Sequence, residues 1–597
     1  MNEQRNFILA IGLSILVLLV WQYFIGSNEI ENQNETIIAS EDTSIDDANL
    51  SDIPVPSLDD SPDINADILT TTSNDTISED PADRIKIDTQ NIKGSISLVG
   101  ARIDDIQLKN FKETMSEDSP LVQILKPASS QKPFYIHHGW VAGPKENIVL
   151  PNEKSIWKLV RGNTLTETSP ITLEWDNGDG LTFSKRIEID SNYLFTINQS
   201  ITNNTSEDFT LYPYSLISRN GIPDDYTNFF VLHEGFIGVL GESGEKKADY
   251  NDIAKNPESF ENINGGWLGF TDKNWATVII PPSDVIYQGR FTSLSNGNTY
   301  QVDYLGSAQD IKSGSIINIE SMIFSGAKQV NILDKYEEEH SLEKFDLLVD
   351  WGWFYFLTKP LFYVLQWLYG ILGNYGLSIL GVTVLIKIVF FPLANKAYVS
   401  MSAMKKLQPE MLKIRENYKD DRAKQQQAIV AIYKKEKVNP LSGCIPILIQ
   451  VPVFFALYKV LLCTMEMRHQ PFFGWIRDLS AKDPTTIFNL FGLIPWSPPS
   501  FLLIGIWPIL MGLTMSIQMR LNPTPPDPIQ QKIFAWMPVV LTFLFAQFSA
   551  GLVIYWAWNN TLSSLQQYII MKRMGVEVEL WSNIKSAFKK KNIKNLK

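Results

Sequence analysis

Ser378-Ile-Leu-Gly-Val-Thr-Val-Leu-Ile-Lys-Ile-Val-Phe-Phe-Pro392 is a run of apolar residues interrupted by one ammonium, Lys387. Taken with its flanks as a helix over residues 377–395, it has the length of one membrane span, at ~1.5 Å of rise per residue against a hydrocarbon core of ~30 Å. Lys387 then lies about 13 Å inside the run, measured back from Lys396. A charge at that depth needs a polar cavity, or a stem long enough to snorkel to the interface, and the residues alone leave both open. Thr383, one turn away on the same face, leans toward the cavity.

Similar apolar stretches fall near 445–464 and 501–519. Ile533 to Met571 would reach about 58 Å as a single helix, too long for one crossing. Ser549-Ala550-Gly551 is the natural corner, giving spans at 533–548 and 551–571. At the amino terminus, Phe7–Ile25 follows Arg5, and Trp21-Gln-Tyr-Phe occupies the place where a signal peptide carries small residues. An uncleaved anchor over 1–26 is therefore expected in preference to a cleaved leader.

Segment 336–372, rich in Trp and Tyr but interrupted by Asp346, Asp350, Lys359 and Pro360, reads as an interfacial amphipathic helix. Counting it as a span would make seven and put both basic segments outside. Six spans place the Lys-rich loop 396–440 and the basic tail 573–597 in the cytosol, as the positive-inside rule requires. Both termini are then cytoplasmic. Within the loop, Met404, Leu407, Met411 and Ile414, then Ala428, Ile429, Ile432 and Tyr433, recur at helical spacing, which predicts a helical hairpin.

Between anchor and core the texture is that of a soluble protein. Residues 27–85 are acidic and poor in aromatics, as in a disordered tether, and carry much of the chain's net charge of −13. Residues 86–335 show short alternating runs such as Leu181-Thr-Phe-Ser-Lys-Arg-Ile-Glu-Ile, separated by turn clusters such as Asn177-Gly-Asp-Gly, which predicts an all-β sandwich outside the cytosol. If Cys444 and Cys463 share one helix they stand about 28 Å apart and cannot pair.

Catalytic patterns are missing. None of the five histidines falls in a metal or triad spacing, and His137-His138 in the β region is expected at the surface. No metal, cofactor or enzymatic activity is expected, and the basic runs flank apolar spans instead of forming a nucleic-acid patch. Polar groups do recur in the spans, among them Gln450, Asn559 and Ser563, and these commonly bond between helices.

In chain order, Gly373-Asn-Tyr-Gly-Leu-Ser, Phe391-Pro-Leu, Met401-Ser-Ala-Met-Lys-Lys-Leu-Gln-Pro-Glu, Lys437-Val-Asn-Pro-Leu-Ser-Gly-Cys-Ile-Pro-Ile-Leu-Ile-Gln-Val-Pro, Asp527-Pro-Ile-Gln-Gln-Lys and Ser549-Ala-Gly-Leu-Val-Ile-Tyr-Trp resemble the YidC family of membrane insertases. The resemblance covers nearly all of 343–572; the anchor and large β region are similar to its Gram-negative branch. It implies a multi-pass α-helical protein of the bacterial inner membrane, with a five-helix core over 373–572 and a periplasmic β-supersandwich. It also implies a hydrophilic groove open to cytosol and lipid, with Lys387 in the place where many relatives carry arginine. Thr383, Gln450 and Asn559 are expected to line that groove. Val451, Phe454, Tyr555 and Trp556 are expected to touch substrate, Trp556 standing where tyrosine is common. Implied partners are nascent membrane proteins, the Sec translocon, the ribosome through the hairpin and basic tail, and membrane lipids.

Two other classes compete. A transporter would show internal repeats and paired intramembrane charges, and Lys387 has no Asp or Glu partner within the spans. A membrane-anchored carbohydrate-active protein would make 86–335 the working part, where carboxylates are plentiful.

Overall fold

The structure, a computed structural model, describes residues 84–143, 146–226, 232–294, 298–419, 421–436, 445–490, 494, 496, 498–499, 503–522 and 528–576. The expected anchor, almost all of the tether, the tail beyond Val576 and Cys444 lie outside the described residues.

Alternation of side chains dictates the first half. Along strand Leu181–Ile189, Leu181, Phe183, Lys185, Ile187 and Ile189 point inward while Thr182, Ser184, Arg186 and Glu188 are partly or fully exposed, the period-2 pattern of a sheet with one covered face. Among the described residues, two sheets of eleven and nine strands form. In the larger, Phe209–Asn220 pairs antiparallel with Phe134–Ala142; in the smaller, Leu194–Asn203 pairs antiparallel with Ile316–Ala327. The sheets pack face to face through aromatic rings: Phe236 lies 5.3 Å from Phe291 and 6.0 Å from Tyr300. A bidentate ion pair from Arg219 to Asp272, at 2.8 and 3.1 Å, ties strand Phe209–Asn220 to the end of Trp267–Thr271 on the other sheet. The expected β sandwich is therefore present.

Two details of the sequence reading need correction there. The first strand begins at Arg84, so the β domain starts two residues before the expected 86. His137 and His138 are buried, at 2% and 3% exposure. Both faces of strand Phe134–Ala142 are covered, so two consecutive residues point to opposite sides and neither reaches water. Tyr214 and Ser215 hold them at 3.1 Å.

Helix α1 (Tyr250–Lys255) is a short turn within the β domain. Helix α2 (Val330–Glu339) crosses the expected boundary at 335 because Val330, Leu333 and Tyr336 bury one stripe on the β core, a stripe hidden in the sequence by its acidic neighbours. The expected single helix over 336–372 is in fact the end of α2, a tight turn at Phe345–Leu348, and α3 (Tyr355–Leu372). Lys359 of α3 binds Asp346 at 2.6 Å and Asp334 at 3.0 Å, fixing α3 to the edge of the β domain.

The remaining helices are α4 (Tyr375–Val389), α5 (Phe391–Asn417), α6 (Arg422–Lys435), α7 (Ile445–Cys463), α8 (Ile506–Leu521), α9 (Pro528–Phe545) and α10 (Ala550–Arg573). The span expected over 377–395 is broken at Phe390, where α4 and α5 meet at 70°. Pro392 supplies the reason: it has no N–H to continue the ladder of α4 but suits the first turn of a new helix. Helices α5 and α6 form the expected hairpin. Between α9 and α10 the chain turns as Ser549-Ala550-Gly551 suggested, and the first amide groups of α10 donate to carbonyls of the α7–α8 loop, Ala550 to Ala481 and Gly551 to Leu479. Among the described residues no single helix is long and apolar enough to cross a membrane, whereas α4 and α5 together, as a bent pair, are.

One interior position of the sandwich is unusual. Lys185 occupies the inward file of strand Leu181–Ile189, 3% exposed, and donates to the His138 carbonyl of the opposite sheet at 2.6 Å. Its ammonium lies 4.5 Å from the Trp157 ring. Burial pushes its pKa down to about 7. A lysine that titrates lower when folded than its usual ~10.4 makes the unfolded chain the better proton binder between those values, so stability rises with pH across that window. The thermal midpoint of the β domain should therefore rise by a few degrees from pH 7 to pH 9. Lys185→Met should raise the midpoint at pH 7 and flatten most of the slope. Circular dichroism melts of the full chain in detergent at both pH values check this.

Candidate functional site

The five helices α4, α7, α8, α9 and α10, with the start of α5, surround a cavity of about 330 Å³. Its position follows from how the helices are held. At one end of α10 the α7–α8 loop closes the bundle. Asp483 of that loop, 7% exposed, accepts bonds from Thr485, from the Trp475 indole and from the Trp507 amide at the start of α8. At the other end, Tyr398 and Met401 of α5 pack on Ile570 of α10, and Lys406 donates to the Met574 carbonyl. The cavity opens between these ends.

Its walls are of two kinds. Phe454, Met515, Met519, Met537 and Leu541 give an apolar, easily reshaped side. Lys387, Gln450, Gln518, Asn522, Asn559, Asn560 and Ser563 give a polar side, on which Lys387 is the one charged group among the described lining residues. The Lys387 ammonium donates to the Ser563 hydroxyl at 2.7 Å, joining α4 to α10. Gln450 donates to the Tyr555 hydroxyl, joining α7 to α10. Phe454 meets Trp556 edge-on at 4.6 Å, a favoured arrangement of two ring quadrupoles.

Of the residues singled out in the sequence, Lys387, Gln450, Asn559, Val451, Phe454 and Trp556 line the cavity together. Thr383 and Tyr555 do not. Thr383 is 1% exposed, and its hydroxyl returns to the Ile379 carbonyl one turn back at 2.7 Å. Tyr555, also 1% exposed, stands behind the wall and orients Gln450. Conversely, Ser563, Asn560, Gln518 and Asn522 belong to the polar wall although the sequence reading gave none of them a site. A signal existed: Asn560, Ser563 and Gln567 follow one another at helical spacing down one face of α10, and Gln567 donates to Asn522 at the end of α8. Tyr398 and Met401, within the hairpin expected over 396–440, also line the cavity, where the 70° bend between α4 and α5 places them.

Together these features describe a helical bundle that encloses a mixed polar and apolar cavity and carries a large β domain. Residues 84–364 match the family described as YidC periplasmic domain, and 367–577 the family described as 60Kd inner membrane protein. A membrane protein insertase YidC of Beijerinckia indica is 48% identical over 608 residues, covering 99% of this chain and 100% of its own. One from Brucella suis is 47% identical over 612 residues, covering 99% of each. A crystal structure described as an active YidC insertase with its first transmembrane domain resolved covers 81% of this chain and 92% of its own at 16% identity; its TM-score of 0.33 adds nothing to the assignment. The chain belongs to the membrane protein insertase YidC family.

Ser563→Ala removes the hydroxyl that accepts from the ammonium, and should cost the bundle ~1 kcal/mol, the usual net worth of such a bond or somewhat more for a charged donor. Ser563→Thr keeps the acceptor and should stay close to wild type. Thermal unfolding of the purified proteins in one detergent separates the two.

Proposed function

We propose that this protein moves apolar segments of nascent membrane proteins out of water and into the bilayer, with the cavity beside Lys387 as the working groove. The observation that carries the reading is the pairing of one ammonium and a polar wall with a soft apolar wall in a single cavity. A polar loop crosses dry hydrocarbon only at several kcal/mol per unsatisfied backbone group. A wet groove part-way through the bilayer shortens that dry path. The apolar segment then enters lipid, driven by ~0.8 kcal/mol per buried CH₂. No bond is made or broken, so no catalytic residue or cofactor is called for.

In this reading the chain has six spans: the anchor 1–26, α4 with the first turn of α5, α7, α8, α9 and α10. Helix α3 lies in the interface, the α5–α6 hairpin and the tail 573–597 lie in the cytosol with both termini, and the β domain lies in the periplasm. Lys387 draws acidic or carbonyl-rich parts of the substrate, Gln450 and Asn559 keep the groove wet, and Val451, Phe454 and Trp556 touch the apolar segment. Thr383 and Tyr555 act from behind the wall. The hairpin and basic tail suit ribosome contact, the exposed apolar helix faces suit lipid and the Sec translocon.

Insertion of a small single-span substrate into proteoliposomes containing only this protein tests the reading. Lys387→Ala and Lys387→Glu should lower insertion by roughly tenfold, the factor set by ~1.4 kcal/mol of lost attraction, while Lys387→Arg keeps it. Equal insertion by all four proteins would remove Lys387 from the mechanism.

A further inference from the structure

Helix α7 belongs to two cores at once. Ala456, Leu457, Tyr458 and Leu461 are buried in the helical bundle. Val460, Cys463 and, just past its end, Met465 are buried in the apolar cluster of the β domain, with Phe345, Trp351 and Phe362. Between these sets stands Lys459. Its ammonium meets the Asp350 carboxylate at 2.6 Å, both side chains 12% exposed. The same carboxylate oxygen accepts the His233 amide of the β domain at 2.9 Å. Gly352 completes the grip: it has φ +70°, and a Cβ there would come within 2.7 Å of the Lys459 stem. The turn Asp350-Trp351-Gly352 is thus shaped around one lysine.

Contacts just beyond α7 continue the joint. Glu466 accepts the Val330 amide at the start of α2 at 3.0 Å, filling an N-terminal donor that α2 does not satisfy itself. Arg468 donates to the Lys112 and Glu113 carbonyls at 2.7 and 3.0 Å, with its guanidinium 5.3 Å from the Trp275 ring. The other end of this helix carries Gln450, Val451 and Phe454, with Val451 about 12 Å from Lys459 along the axis.

We propose that Asp350 and Lys459 are positioning residues for the groove: their ion pair, seated by Gly352 and the His233 amide, sets where α7 stands and therefore where its groove wall faces the substrate. A stiff helix transmits displacement along its length, and a partly buried pair broken on one side leaves an uncompensated charge that must move toward water. The β domain then acts on insertion by holding one wall of the groove. This rests on the groove being the insertion site.

The test uses the full chain in proteoliposomes, with a photo-reactive side chain placed at Val451 on α7 or at Trp556 on α10, and an arrested nascent chain of a single-span protein. Asp350→Asn keeps the shape and the acceptor for His233 while removing the charge; Lys459→Met and the conservative Lys459→Arg complete the set. Asp350→Asn and Lys459→Met should each lower the cross-link from 451 relative to that from 556 by roughly fivefold, with a matching fall in insertion. Lys459→Arg should keep both near wild type. A general loss of folding would lower both cross-links alike, and that result, or an unchanged 451-to-556 ratio, overturns the proposal. Wild type that neither inserts nor cross-links at either position would count against the groove itself, independently of the ion pair.

Discussion

A charge carried into an apolar bundle must be solvated by something, and the helices of this protein are disposed around that requirement at Lys387. Its ammonium sits between the first and last helices of the bundle, bonded to Ser563, with amide side chains on three neighbouring helices sharing the same cavity. Were the cavity filled by apolar side chains, the ammonium would face a desolvation cost of several kcal/mol. The polar wall is therefore what lets the five helices pack as closely as they do without burying a bare charge.

The same logic organises the polar groups that never reach the cavity. Tyr555 is sealed in the bundle core, yet its hydroxyl meets Gln450, so a lining amide is oriented from behind. Asp483 gathers four donors at the opposite end and holds the α7–α8 loop across the bundle. Each is a buried polar group satisfied by partners from another element, the arrangement that turns a cost into a positional restraint.

The β domain and the bundle are not two independent bodies joined by a string. The linker from α2 to α3 runs as a buried turn, Lys359 bridges Asp334 and Asp346, and the end of α7 lies in the β core. Apolar burial and ion pairing act at the same seam, so orientation is set by two kinds of force, one non-directional and one directional.

Periodicity in the chain by itself determined the larger plan: alternation marked the sandwich and apolar runs marked the helices. Lys387 stood out because a charge in an apolar run is expensive wherever the helix is finally placed. Tertiary structure alone decided what each polar residue faces. Thr383 shares a helix face with Lys387 by spacing, but its hydroxyl folds back on its own helix; Tyr398 enters the cavity because Pro392 bends the chain. His137 and His138 are buried because both faces of their strand are covered, and Lys459 finds Asp350 across more than a hundred residues. Local pattern records which surface of an element is apolar; the partner that covers it comes from a distant part of the chain, and only packing brings the two together.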